Sequence, residues 1–171
     1  NLDLALRAIL FGAVGTAGQR CTSLRRLFLH SSIADDMVAK LKKAYASIPI
    51  GDPLEPGTLM GPLVTEEAIA DYEKALVQVR EQGGEIVCGG HRVNRPGYFV
   101  EPTIVRLKEQ IPIACEETFA PILYVLTYDD LAGAIATHNA VAQGLSSAVF
   151  TSSMYSAERF LSHEGSDCGI A

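Results

Sequence analysis

Arg26-Leu27-Phe28-Leu29-His30, followed at once by Ser31-Ser32-Ile33-Ala34-Asp35-Asp36-Met37-Val38, is the stretch whose reading decides the fold. The first five residues read as a short buried strand. Ser32 with Asp35 three residues on is a weak form of the capping box that starts a helix. Ile33, Met37, Val38, Leu41, Tyr45 and Ile48 then share one helical face. A strand leading into an amphipathic helix is the repeating unit of an α/β sheet, and the chain goes on alternating strands and helices toward its C-terminus.

Toward the C-terminus, residues 49–63 hold Pro49, Gly51, Pro53, Pro56, Gly57, Gly61 and Pro62, a density that predicts a long surface loop. A helix is expected from near Thr65 through Ile69, Tyr72, Leu76 and Val79, stopping at Gly83-Gly84. Strands are expected at Glu85 to Cys88, Tyr98 to Val105 and Ile122 to Tyr128, with Pro102 marking the second as an edge or a bend. Asp129 or Asp130 caps a helix through Ile135, Ser147 to Thr151 reads as a strand, and Met154 to His163 as a helix. Toward the N-terminus, Leu2, Leu6, Ile9, Leu10 and Ala13 have helical spacing and run into a turn at Gly15 and Gly18. The fold class that follows is α/β, a mostly parallel sheet with helices on both faces.

With 171 residues and 48% hydrophobic content, one domain over 1–171 can bury roughly two-thirds of its unfolded surface. The longest apolar runs are too short to span a bilayer, and a net charge of −6 disfavours binding to a phosphate backbone. Neither a membrane nor a nucleic acid is expected as a partner. Cys21, Cys88, Cys115 and Cys168 lack the paired spacing of a zinc site or a redox Cys-x-x-Cys, so no metal is expected and the thiols read as reduced and cytoplasmic. Asn1 opens without an initiator Met or a secretory signal, and the chain stops as an apolar run begins at Gly169-Ile170-Ala171. Both ends are therefore expected to be cuts in a longer polypeptide.

Gly12, Gly15 and Gly18 do not have the spacing of a dinucleotide fingerprint and follow a helical run, so they read as turn and packing residues. No P-loop, Gly-x-Ser-x-Gly elbow or His-Glu-x-x-His helix occurs. What remains is Val14-Gly15-Thr16-Ala17-Gly18-Gln19-Arg20-Cys21. A thiol just past a glycine-relaxed turn can face a cleft as a nucleophile, with its own backbone N–H aimed at an oxyanion. On spacing alone two other readings stay open. Cys21 is a buried structural thiol in a non-catalytic interaction domain, or it pairs with His30, His138 or His163 as the nucleophile of a thiol hydrolase or acyltransferase.

Gly18-Gln19-Arg20-Cys21 resembles the active-site motif of the aldehyde dehydrogenase superfamily. The resemblance continues in order through Ile50-Gly51-Asp52-Pro53, Met60-Gly61-Pro62-Leu63-Val64, Pro96 to Thr103 and Gly144-Leu145-Ser146-Ser147. Glu116-Glu117-Thr118-Phe119-Ala120-Pro121 is similar to the family's Glu-x-Phe-Gly-Pro segment, although Ala120 stands where Gly is usual. Ala120, Arg20 and the Ser166-Asp167-Cys168-Gly169-Ile170 ending together resemble the antiquitin branch, the aminoadipate semialdehyde dehydrogenases.

The resemblance implies an NAD-dependent oxidation of an aldehyde, a semialdehyde in that branch, to a carboxylic acid. Cys21 is then the catalytic nucleophile, Glu117 and Phe119 are cofactor contacts, and Arg20 is a substrate-binding cation. The intact protein is expected to be a homo-oligomer. By the same resemblance the cofactor-binding segment, the oxyanion-hole Asn and the general-base Glu precede these residues, while the oligomerising tail follows them. The isolated segment is therefore expected not to turn over.

Overall fold

The structure, a computed structural model, describes residues 1–171. Helix α1 (Leu2–Val14) is capped by the Asn1 side chain and ends in a tight turn at Gly15–Gly18. Then follow β1 (Arg26–His30), α2 (Ser31–Tyr45), α3 (Glu66–Glu81), β2 (Glu85–Cys88), β3 (Thr103–Leu107), β4 (Ile122–Tyr128), α4 (Leu131–Asn139) and α5 (Met154–Leu161). The strands form one sheet in the order β1-β4-β3-β2. The β1–β4 and β3–β4 pairs are parallel and the β2–β3 pair is antiparallel, so the sheet is mostly parallel as expected.

Strand β4 explains why the sheet needs helices on both sides. Ile122 to Leu126 are five successive buried residues, and in a strand successive side chains point to opposite faces, so both faces are covered. Helix α2 contacts β1 and β4, α3 contacts β2, and α4 contacts β4. Met37, Leu41, Tyr72, Leu76 and Val79 carry the apolar stripes of α2 and α3 into the same core as Ile104 and Leu123.

Four details differ from the sequence reading. Helix α2 starts two residues earlier than a Ser32 cap allows, because the His30 ring accepts from the Ser32 N–H and takes the cap position. The run from Tyr98 is not one strand: Val100 makes an isolated bridge to Arg92, and β3 begins only at Thr103, directly after Pro102. Pro102 thus precedes an interior strand rather than marking an edge. Residues 147–151 form no strand, since Ser146 has a single bridge, to Ile170, and the next residues find no ladder partner. Helix α5 ends at Leu161 rather than His163. As expected, the segment between α2 and α3 lacks regular structure. No helix is long and apolar enough to cross a membrane.

Thr103, a fully buried polar residue at the start of β3, ties the sheet to α3 and to the turn after β2. Its Oγ1 lies 2.7 Å from the Tyr72 hydroxyl and accepts the Gly90 N–H at 2.9 Å, while the Tyr72 hydroxyl also donates to the Glu101 carbonyl at 2.9 Å. Thr103→Val keeps the shape and strands the Gly90 N–H, so it is expected to cost about 1–3 kcal/mol in urea unfolding. A Tyr72→Phe change should cost less, because no backbone donor is left unpaired.

Candidate functional site

Because β1 and β4 are parallel neighbours, the loops leading into them meet at one end of the sheet. The Tyr124 N–H donates to the Arg25 carbonyl at 2.8 Å, which fixes the two entry points together. Residues 15–25 form the first loop and residues 116–121 the second. Ligands of open α/β sheets usually gather at the carboxyl ends of strands; here the candidate groups gather at the amino ends of β1 and β4.

The first loop begins with three successive left-handed residues, Thr16 (φ 62°), Ala17 (φ 54°) and Gly18 (φ 71°). Gly18 is required there, since a Cβ at this position would fall inside the Ala120 carbonyl group of the second loop. Phe119 of that second loop is left-handed as well, at φ 52°. Thr16, Ala17 and Phe119 are the chain's non-glycine residues with positive φ, and all three border the place where the loops touch. Backbone strain of this kind costs on the order of 1–3 kcal/mol per residue and is often found at functional sites. Ala120 itself is not left-handed and is buried, so its methyl group is accommodated in the packed contact.

Gln19 fastens the first loop to the segment before α3. Its Nε2 donates to the carbonyls of Thr16 (3.1 Å) and Pro62 (3.2 Å), and its Oε1 accepts the Val64 N–H at 2.9 Å. Cys21 then sits in a tight turn closed by Ser23 N–H to the Arg20 carbonyl (3.0 Å) and Arg20 N–H to Ser23 Oγ (3.1 Å). The thiol is exposed, and neither its sulfur nor its backbone N–H is engaged in a hydrogen bond. Arg20 is exposed next to it and forms no ion pair within the chain.

Cys21, Glu116 and Glu117 line one open, largely apolar cavity of about 450 Å³, which extends along β1 toward Cys168. On the other side of Phe119 a polar cleft of about 460 Å³ is bounded by Gln19, Val64, Thr118 and the first turns of α3. Phe119 lines this second cleft, while the thiol and Glu117 line the first. The structure brings Cys21, Arg20, Glu117 and Phe119 to one end of the sheet.

Arg25 was not singled out by sequence, yet it touches each part of the site. Its Nη2 donates to the Arg20 carbonyl at 3.1 Å and lies 3.6 Å from Glu117 Oε1, and its guanidinium stands 4.8 Å from the Phe119 ring centroid. Burial pulls Arg25 below the usual arginine value, and the charges of Glu117 and Cys21 act against that pull. Gln19 was missed too; its only sequence signal is a long amide side chain directly after a glycine turn. Arg25 had even less, since two arginines before an apolar strand read as solvated charge.

No histidine serves Cys21. His30 is committed to the start of α2, and His138 bonds Ser166 Oγ at 2.8 Å; burial and the nearby Arg26 push its pKa down. His163 is exposed beside Glu164. The thiol-hydrolase reading therefore lacks its base. The interaction-domain reading lacks its buried thiol, since Cys21 faces solvent.

Comparisons with known proteins identify the family. The model of the aldehyde dehydrogenase family matches residues 1–170. Alpha-aminoadipic semialdehyde dehydrogenase of Mus musculus is 47% identical over 171 residues, spanning 99% of this chain and 32% of its own length. Aldehyde dehydrogenase family 7 member B4 of Arabidopsis thaliana is 47% identical over 170 residues, spanning 99% and 34%. Among solved structures, HpcC of Thermus thermophilus superposes with a TM-score of 0.94 at 29% identity, covering 99% of this chain and 34% of that one. Betaine aldehyde dehydrogenase of Staphylococcus aureus, solved in complex with NAD+, gives 0.93 at 28% identity with the same coverage. The chain spans about a third of the length of the relatives it matches.

Two outcomes test this site. Gly18→Ala is expected to lower unfolding stability by about 2 kcal/mol or more, because both the left-handed φ and the Ala120 carbonyl oppose a side chain. Gly12→Ala, whose Cβ would lie 3.3 Å from the Leu24 Cβ inside α1, should change stability by no more than about 1 kcal/mol. In peptide-mapped iodoacetamide labelling near neutral pH, Cys21 should react well before Cys88, whose thiol burial pushes up.

Proposed function

The chain belongs to the aldehyde dehydrogenase family, and from that premise we propose that it supplies the nucleophile and part of the cofactor site of an NAD-linked aldehyde oxidation. The observation that carries the reading is the shared cavity: the exposed, unbonded Cys21 and the Glu117 carboxylate line the same space, together with Arg25, whose guanidinium lies over the Phe119 ring.

The Cys21 thiolate attacks the aldehyde carbon, forming a carbon–sulfur bond and moving the carbonyl electron pair onto oxygen. The free backbone N–H of Cys21 is placed to donate to that oxygen. The exposed Glu117 carboxylate fits the diol of a ribose, and the Phe119 ring, 38% exposed, offers an apolar surface for a flat heteroaromatic ring. NAD, when held there, supplies a two-electron acceptor for hydride. Cys21 is left as a thioester, and water releases the carboxylic acid and restores the thiol.

Arg20, a cation beside the thiol without an internal partner, suits a substrate that carries a carboxylate at its far end, as an aminoadipate semialdehyde does. A reducing, cytoplasmic setting that keeps such a thiol free and a homo-oligomeric assembly belong to the same proposal. Since these residues span only a third of the relatives' length, the 171-residue chain by itself is expected to label at Cys21 and to produce no NADH.

In the full gene product carrying this chain, NADH formation from an ω-carboxylate aldehyde should be lost in Cys21→Ala. Retention of the rate would overturn the assignment. Arg20→Met should raise the KM for that aldehyde by on the order of tenfold and leave a neutral aldehyde of equal length nearly unaffected. Equal effects on both would remove Arg20 from substrate recognition.

A further inference from the structure

We propose that Arg25 is the positioning residue that couples the thiol turn to the cofactor side of the site, setting the orientation of Glu117 and Phe119 relative to Cys21. The inference rests on the aldehyde dehydrogenase reading and adds a residue to it.

The side chain of Arg25 is only 15% exposed, and it reaches three groups that belong to different parts of the site. One nitrogen, Nη2, donates to the Arg20 carbonyl, the acceptor that also closes the Cys21 turn. The same nitrogen faces Glu117 Oε1, and the flat guanidinium lies against the Phe119 ring. Its backbone is fixed independently by the hydrogen bond from Tyr124 at the start of β4. The guanidinium therefore meets the turn and the carboxylate through one nitrogen and the ring through its flat face.

Stability does not explain an arginine here. A half-buried ion pair at 3.6 Å without a hydrogen bond gains little beyond the cost of desolvating the guanidinium, and an apolar side chain of similar length would fill the space as well. What only arginine provides is a planar donor that stacks on a ring and meets a carbonyl and a carboxylate at the same time. Lysine shares the charge but not the plane, which makes Arg25→Lys the discriminating variant. Phe119 holds a strained, left-handed φ, and the guanidinium over its ring is a contact that supports that turn.

The test compares Arg25→Met and Arg25→Lys with the wild-type full gene product. Arg25→Met is expected to raise KM for NAD about tenfold, the change that about 1.4 kcal/mol corresponds to, with a smaller effect on kcat. Arg25→Lys should fall between the two. Backbone hydrogen exchange gives a readout that does not depend on turnover. Arg25→Met should speed exchange in residues 20–23 and 116–120 together, with the rest of β1 and β4 unchanged. A fall in melting temperature and active fraction at constant KM for NAD, or loosening of only one loop, would overturn the proposal. If the wild type neither binds nor reduces NAD while both loops still loosen in Arg25→Met, the cofactor reading fails and the coupling stands.

Discussion

The contact of Gly18 with the Ala120 carbonyl is the constraint from which the site follows. It allows two loops, separated by about a hundred residues of sequence, to lie against each other with no side chain between them. The parallel pairing of β1 with β4 brings the loops to the same end of the sheet, and the close approach sets how they meet. Strain on Thr16, Ala17 and Phe119 is the cost of that approach, and it is sustained by the core on which both loops rest.

Around that contact, polar groups divide the work. Gln19 ties the thiol turn to the segment before α3, and Arg25 ties it to Glu117 and Phe119. Neither interaction contributes much stability, since exposed and half-exposed polar contacts are worth about 1 kcal/mol or less each. Their contribution is geometric. They leave Cys21 projecting from a closed turn with its sulfur and N–H free, the state a nucleophile needs before a carbonyl arrives.

Much of the scaffold was legible in the sequence. Strands β1, β2 and β4 fall where the apolar runs lie because each is bounded by turn or cap residues, and α3 starts at Thr65 because a threonine side chain caps it. The reading failed where long-range partners decide the outcome. Residues 147–151 have the composition of a strand but meet only Ile170, and His30 displaces Ser32 as the cap of α2 through a ring nitrogen. The site was legible only in part. Cys21, Glu117, Phe119 and Arg20 could be named from a family resemblance, whereas Arg25 could not, since its meaning lies in three contacts made across the fold. The left-handed turn at Thr16 and Ala17 was equally hidden, because a β-branched residue argues against that conformation.

Covalent acylation of the Cys21 sulfur during turnover is the event on which the proposed reaction depends. The full gene product, mixed with aldehyde and NAD, quenched in acid and mapped by peptide mass, should carry the substrate's acyl group on the peptide containing Cys21. Sustained turnover with the acyl group absent from that peptide, or found on Cys168 instead, would contradict it.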